Sequence, residues 1–448
     1  MASVAHSGSS HTRAKRISAA DAAALVASGD WVEYGTGLAQ PDVFDAALAQ
    51  RVEELEDVKL RACLTLRPRA VLEADPGREH FHWFNWHYTG YDRAKGDLGL
   101  ANYIPCNLGE IPDYYRRFID PPEIAVLKTC PKDEHGFYNL SLAALWHRAI
   151  AERAKLVIVE ESGALPHLDG LENAVHESEV DYVIAGDDGP LPEIPNLPPS
   201  DADRAVAQLI AAEVEDGSCL QIGIGAMPNA VCSLLRESGV RELGVHTEML
   251  TDGIVDLYRA GVVTGARKTL YPGKVVCTFG AGTKMQYETA DRNPDFLCHA
   301  VDLTNQPYAV MQNECVVAIN STTQMDLQGQ AASESAGHRH ISGTGGQSQF
   351  VRGAYASVGG KSFICMPSTY ERHGVRASRI VLDLTPGNVV TCTRADMMYV
   401  VTEHGIVNLK GKSIPERASA MISIAHPDFR DDLERGARSH GLIPSGVF

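Results

Sequence analysis

A chain of 448 residues, 44% hydrophobic and 22% charged, is too long for one ordinary core and has the composition of a globular protein, so two domains are expected. Its formal charge of -17 argues against a nucleic-acid partner, which would need a basic face, and requires any anionic ligand to be met by local cations. The ten cysteines are scattered with no C-x-x-C pair, which predicts reduced thiols in a cytoplasmic setting rather than disulfides or a zinc site.

Residues 1–16 (MASVAHSGSSHTRAKR) have no apolar core and are not a secretory signal; they share an acid-free, Ser- and Arg-bearing make-up with transit peptides, but a disordered tail is the expectation. No apolar run approaches the roughly 18 residues of a membrane span. Ser18 to Ser28 has helical spacing, with Ser18 as a cap and Gly29 as the stop. A short strand, Trp31 to Tyr34, then leads into Gly35-Thr36-Gly37 and Pro41. The aromatic and histidine stretch from His80 to Tyr88 reads either as a packing strip between domains or as a wall of a ligand pocket. His80 and His82 would share one face of a strand, but no cysteine pair or carboxylate completes a metal set, so no metal is assigned. Ile124–Leu127 and Leu156–Glu160 read as buried parallel strands, with a helical run over 140–154 between them.

Pro190, Pro192, Pro195, Pro198 and Pro199 crowd one stretch, and proline neither donates to a ladder nor leaves φ free, so residues 188–199 are predicted to form an extended linker. It separates an N-terminal domain, 17–187, from a C-terminal domain, 200–448. The second half repeats the opening of the first: a helix from Ser200 stops at Gly217, a strand over Cys219–Ile222 follows, and Gly223-Ile224-Gly225 leads to a helix with Pro228 in its first turn. The shared order of helix, strand, Gly-x-Gly, proline and helix predicts an internal duplication. Further strands are expected over 243–246, 275–279, 315–319, 379–384 and 398–402. Alternating β and α through both halves predicts an α/β protein with two related doubly wound parallel sheets.

Glu248 follows the strand over 243–246, so it falls just past a strand's carboxyl end, where open α/β sheets place their ligands. Gly223-x-Gly225 lets backbone amides approach an anion or an oxyanion, and an acidic side chain facing such amides makes sense as a nucleophile or base. Cations cluster in the same half: Arg267, Lys268, Lys274, Lys284, and Lys361 after the glycine turn Gly359-Gly360. Their clustering nominates them for a phosphorylated ligand. No Walker A, G-x-S-x-G or H-E-x-x-H string occurs.

Taken together, the strings GDWVEYGTGLAQP, PKDEHGFYNLS, GIGAMPNAV, GVHTEMLTDGI, AINSTTQMDLQGQ, SGTGGQSQFVRGA, GGKSFICMPST, TEHGIVNLKGK and AHPDFR resemble the acetyl-CoA hydrolase/transferase family, and most closely its 4-hydroxybutyrate CoA-transferase branch. The resemblance implies two CoA-transferase-type domains and an acyl-CoA:carboxylate CoA-transferase, with an acyl-CoA hydrolase on the same scaffold as the alternative and a non-catalytic CoA-binding regulator as a remote one. It implies Glu248 as nucleophile, passing through a glutamyl-CoA thioester, and the Asn320 side chain with a backbone amide at Gly345 or Gly346 as the oxyanion hole. The Gly223–Gly225 loop would line the CoA or acyl side. Coenzyme A enters as acyl-CoA substrate, no cofactor is permanently bound, and a homo-oligomer, a dimer, is expected. In one place the chain departs from the family's pattern: Gln349 stands where the glycine turn commonly continues with Asp.

Overall fold

The computed structural model describes residues 14–444. Most of the predicted tail lies outside them, but its end does not behave as a tail: Lys15–Arg16 form a strand. Eight strands build the N-terminal sheet: β1 (Lys15–Arg16), β2 (Trp31–Thr36), β3 (Val58–Cys63), β4 (Phe81–Asn85), β5 (Ala101–Tyr103), β6 (Ile124–Thr129), β7 (Leu156–Glu161) and β8 (Tyr182–Ala185). They lie in the order β1-β8-β7-β6-β2-β3-β4-β5, and every pair is parallel. Eight more build the C-terminal sheet: β9 (Cys219–Ile222), β10 (Gly244–His246), β11 (Val275–Cys277), β12 (Phe296–Cys298), β13 (Val316–Ser321), β14 (Lys361–Cys365), β15 (Tyr399–Thr402) and β16 (Gly405–Asn408). Their order is β12-β11-β10-β9-β13-β14-β15-β16, parallel except for the closing hairpin β15–β16. Seven strands correspond in order, from β5 with β12 to β8 with β15, while the outer strands β1 and β16 differ in chain position and direction.

Central strands such as β6, buried at every residue, read as continuous apolar runs because helices cover both sheet faces. Separate cores follow, one around Phe44, Leu60 and Trp83 in the first half and one around Leu220, Val245 and Phe363 in the second. A third cluster joins them: Trp86, Tyr115 and Trp146 pack with Met249 and Phe279. Residues 186–200 carry no helix or strand. They are strapped across the second half by Ile194 N–H donating to the Gly282 carbonyl at 3.0 Å and the Tyr287 hydroxyl donating to the Pro192 carbonyl at 2.7 Å.

Several elements differ from the sequence reading. The helix over 140–154 is helical only over His147–Arg153. Its first half crosses to the other domain instead: Leu145 N–H donates to the Thr278 carbonyl, and Gly280 N–H donates to the Leu142 carbonyl. Ser141 and Leu145 take positive φ to make this possible, so interdomain backbone pairing overrides a good local helix pattern. The strand expected over 379–384 shrinks to Ile380–Val381 in a small side sheet, while β14, unpredicted, fills the main-sheet position. The strand over 275–279 breaks after Cys277, and Phe279–Gly280 then pair in parallel with Met249–Leu250. The capped N-terminal helix covers only Ala19–Ala23. No helix among the described residues is long and apolar enough to cross a membrane.

Candidate active site

Glu248 is placed by a kink. After β10 ends at His246, the Glu248 carbonyl accepts from the N–H groups of Thr278 (3.0 Å) and Phe279 (3.3 Å), which holds its backbone at the sheet's carboxyl edge. The side chain is half-buried and faces a cavity of about 140 Å³ at the seam between the domains. The second half lines this cavity with Gln221, Gly223, Ile224, Asn320 and Phe350, and the first half contributes Leu64, His87 and Leu108.

One carboxylate oxygen is held. Asn305 Nδ2 donates to Glu248 Oε2 at 2.5 Å, and the Gly346 amide also donates to the carboxylate. Burial pushes the Glu248 carboxyl up to about 7 despite these two donors, because neither brings a full positive charge. Near neutral pH the group is therefore poised between its two forms, which is how a catalytic carboxylate is tuned.

The glycine turn that supplies the Gly346 amide is clamped from the first half. Leu108 N–H donates to the Gly345 carbonyl at 3.0 Å, and Ser348 Oγ donates to Asn107 Oδ1 at 2.9 Å. Gln349, buried in the helix Gln347–Ala356, accepts from the Gly109 N–H at 2.9 Å through Oε1. The amide that stands in place of the family's usual carboxylate thus orders the seam behind the turn. A side chain at Gly346 would displace the Glu248–Asn305 pair, since a Cβ there would fall 2.2 Å from Glu248 Oε2 and 2.3 Å from Asn305 Nδ2.

Gly223 and Ile224 line the cavity, and Gly225, at φ +122°, caps the helix Ala226–Ser238. Asn320 also lines it, but its amide is paired with Gln221: Asn320 Nδ2 donates to Gln221 Oε1 at 2.9 Å, and Gln221 Nε2 donates back at 3.3 Å. The predicted cations are not brought to Glu248. Lys268 is buried, its ammonium donates to the carbonyls of Val245 and Lys274, and burial lowers it to about 8. Arg267 pairs with Glu242, Lys274 donates to the Pro294 carbonyl, and Lys361 pairs with Glu213. Lys268 is tied to the carbonyls beside β10 and β11, Lys274 precedes β11, and Lys361, after the Gly359-Gly360 turn, opens β14. They therefore sit at the amino end of the sheet, whereas Glu248 stands at the carboxyl end. Lys284 is exposed on a separate groove beside Glu288. Clustering in sequence did not bring them to the carboxylate, because the residues that precede parallel strands gather on the edge away from the ligand side.

One site residue escaped the sequence reading outright, and a second, His87, is marked only as part of the His80–Tyr88 stretch. Asn305 sits at the end of the short helix Val301–Asn305, and nothing in its local pattern marks it. His87 follows β4 and lies across Gly345 from the carboxylate: a Cβ on Gly345 would be 3.6 Å from both His87 Cε1 and Glu248 Oε1. Burial and the neighbouring His340 and Arg93 lower His87 to about 4, so its ring is neutral. The aromatic stretch therefore divides: Phe81 and Trp83 belong to the first core, while Trp86 packs in the seam and His87 and Tyr88 reach the interdomain cleft.

Two doubly wound domains meeting at a cleft, with a carboxylate at a strand end, define a CoA-transferase-type α/β fold. The crystal structure of RipA from Yersinia pestis matches it with a TM-score of 0.87 at 36% identity, covering 96% of this chain and 98% of that one. A 4-hydroxybutyrate CoA-transferase structure from Porphyromonas gingivalis matches with a TM-score of 0.78 at 33% identity, covering 95% and 98%. By sequence, residues 6–195 match the acetyl-CoA hydrolase/transferase N-terminal domain and residues 282–437 its C-terminal domain. The butyryl-CoA:acetate CoA-transferase of Anaerostipes caccae is 43% identical over 427 residues, covering 94% of this chain and 96% of that protein. The chain belongs to the acetyl-CoA hydrolase/transferase family.

Proposed function

We propose that the protein is an acyl-CoA:carboxylate CoA-transferase that moves coenzyme A between short carboxylic acids, with Glu248 as nucleophile. The observation that carries this reading is the placement of the Glu248 carboxylate: its Oε2 is held by Asn305, and the side chain lines the cavity. Oε1 attacks the thioester carbonyl, the C–S bond breaks, and CoA leaves as the thiolate. Oε2 is then the carbonyl oxygen of the glutamyl anhydride. The thiolate attacks Cδ, the Cδ–Oε1 bond breaks, and the acid departs carrying Oε1, leaving a glutamyl-CoA thioester. During that attack the negative charge develops on Oε2, which Asn305 already holds, so the oxyanion donor is in place before the step begins. An incoming carboxylate reverses the sequence. One thioester is exchanged for another, so no other energy source is needed.

Asn320 serves the other oxyanion, on the substrate thioester, through the amide hydrogen that Gln221 leaves free. The apolar walls Leu64, Leu108, Met249, Phe279 and Phe350 favour transfer over hydrolysis, because they keep water from the intermediate. Incubation with acyl-CoA alone, followed by borohydride, tests the reading. Reduction of the glutamyl thioester to an alcohol should lower the mass of the Glu248 peptide by about 14 Da. Exchange without such an adduct would exclude Glu248 as the covalent carrier.

A further inference from the structure

Glu248 and its donor Asn305 stand 57 residues apart in the chain, on separate elements. The carboxylate follows the end of β10, and Asn305 closes the helix Val301–Asn305. Five residues are too few for a helix to hold itself, so its neighbours must place it. The first half fastens its start: Val301 N–H donates to the Leu145 carbonyl at 2.7 Å, and Ala300 N–H to the Leu171 carbonyl at 3.0 Å. At its end the chain turns extended at Gln306 (φ -61°, ψ 135°), which leaves the last carbonyls without helical partners.

His246, the last residue of β10, supplies a partner for one of them. Its ring is fully buried, and Nε2 lies 2.8 Å from the Thr304 carbonyl oxygen. A carbonyl can only accept, so Nε2 carries the proton and donates. Nδ1 is buried and meets no donor among the described residues, so the side chain spends its one N–H on Thr304. Burial, with the Lys268 ammonium and His299 adding to it, lowers the imidazole to about 3, which keeps it neutral. Two hydrogen bonds thus close a loop between the same two segments: His246 to Thr304, and Asn305 Nδ2 to Glu248 Oε2 at 2.5 Å. Asn305 Oδ1 is buried without a partner among the described residues, so the placement of its backbone, and not a second side-chain bond, aims the amide.

We propose that His246 is a positioning residue for the transfer: it ties the end of the Asn305 helix to the end of the nucleophile's strand, and so sets the approach of the Asn305 amide to Glu248 Oε2. The proposal rests on the transferase reading above, in which charge develops on that oxygen. Without the tie the Thr304 carbonyl loses its donor and the amide shifts, while the Glu248 backbone stays fixed by Thr278 and Phe279. A shift on the order of 1 Å at a group that acts in the transition state is enough to slow a reaction by about a hundredfold. The other titratable groups that bear on the pair are Lys268 and His299 beside His246, and His87, Cys63 and Cys106 around Glu248. All five stay the same in the variants below, so a change in pH midpoint reports the carboxyl.

With acetyl-CoA as donor and butyrate as acceptor, wild type is compared with H246L, H246Q, N305A and the double variant H246L/N305A. H246L removes the donor and keeps an apolar side chain in its place, and H246Q returns an amide nitrogen near the position of Nε2. H246L should lower kcat by about tenfold or more, with the KM for acetyl-CoA within about threefold. It should also raise the pH midpoint of kcat/KM by about 0.5 or more, because the bond from Asn305 holds the Glu248 carboxyl down. H246Q should recover most of both effects. On top of N305A, H246L should cost less than about threefold more, since the route through Asn305 is already gone. Losses that multiply in the double variant, equal midpoints in wild type and H246L, or an H246Q no better than H246L would each overturn the proposal. If H246L lacks a cooperative urea transition, H246N takes its place in the cycle, because its shorter amide stops short of Thr304. If no acid exchanges, or N305A turns over as wild type does, the transferase reading fails first. The infrared carboxyl band of Glu248, titrated in wild type, H246L and H246Q, then decides: a midpoint raised in H246L and restored in H246Q supports the tie, and equal midpoints overturn it.

Discussion

The two halves share the order of seven parallel strands and differ at the position that matters. Val32 pairs with Leu60 in the first sheet, and Leu220 pairs with Val245 in the second. Val32 and Leu220 each stand three residues before the first glycine of a Gly-x-Gly, so the two registers align. Three residues on from Leu60 is Cys63, and three on from Val245 is Glu248. Cys63 is fully buried, and burial pushes its thiol well above the ordinary range. The glycine loops differ in the same sense. A Cβ on Gly35 would meet His147 Nε2 at 2.7 Å, whereas the nearest atom to one on Gly223 is the Ile319 carbonyl oxygen at 3.9 Å. The first half has filled its own site with a histidine ring and a thiol, while the second has kept its loop open. A duplicated fold thus supplies two equivalent edges, of which one carries the carboxylate and the other became a wall, lending Leu64, His87 and Arg93 to the shared cleft.

The widest test of this asymmetry exchanges nothing but side chains at the matched positions. Glu248→Ala should reduce CoA exchange by about four orders of magnitude or more, as expected when a covalent nucleophile is removed. Cys63→Ala should leave exchange within about threefold and cost on the order of 1 kcal/mol of stability through lost packing. A parallel exchange assay and a urea melt read both. Comparable loss in the two variants would mean that the halves are not specialised in this way.

Next in size is the donor that no local pattern marked. Asn305→Ala should slow turnover by about a hundredfold with little change in KM for acyl-CoA, since its bond to Oε2 strengthens as charge develops there. Ordinary turnover in that variant would return the oxyanion role to Asn320 and Gly346.

Acidity separates the halves as well. The raised Glu248 carboxyl should make kcat/KM rise with pH through a midpoint near 7, because the ionised form is the nucleophile. The same shift acts on stability with a definite sign. A carboxyl raised in the folded state binds its proton more tightly there than in the unfolded chain, so its burial carries no penalty below about pH 4.5. Above pH 7 it costs up to about 3 kcal/mol. Glu248→Gln should therefore raise Tm at pH 8 and lose most of that advantage at pH 5. A Tm difference independent of pH would place the carboxyl in an ordinary environment.

The smallest effect concerns the seam that lets one half serve the other. Gln349→Ala strips the acceptor from the buried Gly109 N–H and should lower stability by about 1–3 kcal/mol, the cost of an unsatisfied buried donor. Activity should fall less than stability, because the Gly345 carbonyl keeps its bond from Leu108.

Local chemistry alone determined a good part of this protein. Glycine stops, proline placement and buried apolar runs located most central strands, the duplication and the strand end that carries Glu248, since these signals act over a few residues and survive in any tertiary context. The family-specific strings then pointed to Glu248 as nucleophile and to a backbone amide at Gly345 or Gly346 for the oxyanion hole. What the sequence could not settle depended on which surfaces meet. The stretch 140–146 has helical spacing but spends its backbone bonds on Thr278 and Gly280 of the other half. The basic residues 267–274 and 361 are neighbours of catalytic segments along the chain, yet they precede strands and so fall on the opposite edge of the sheet. Asn305 and His87 come from separate elements of the two halves; the His80–Tyr88 stretch marks a packing strip or pocket wall without singling out His87, and nothing local marks Asn305. Only the packing of one doubly wound domain against another turns them toward the same carboxylate, because contacts between distant segments leave no period in the sequence to read.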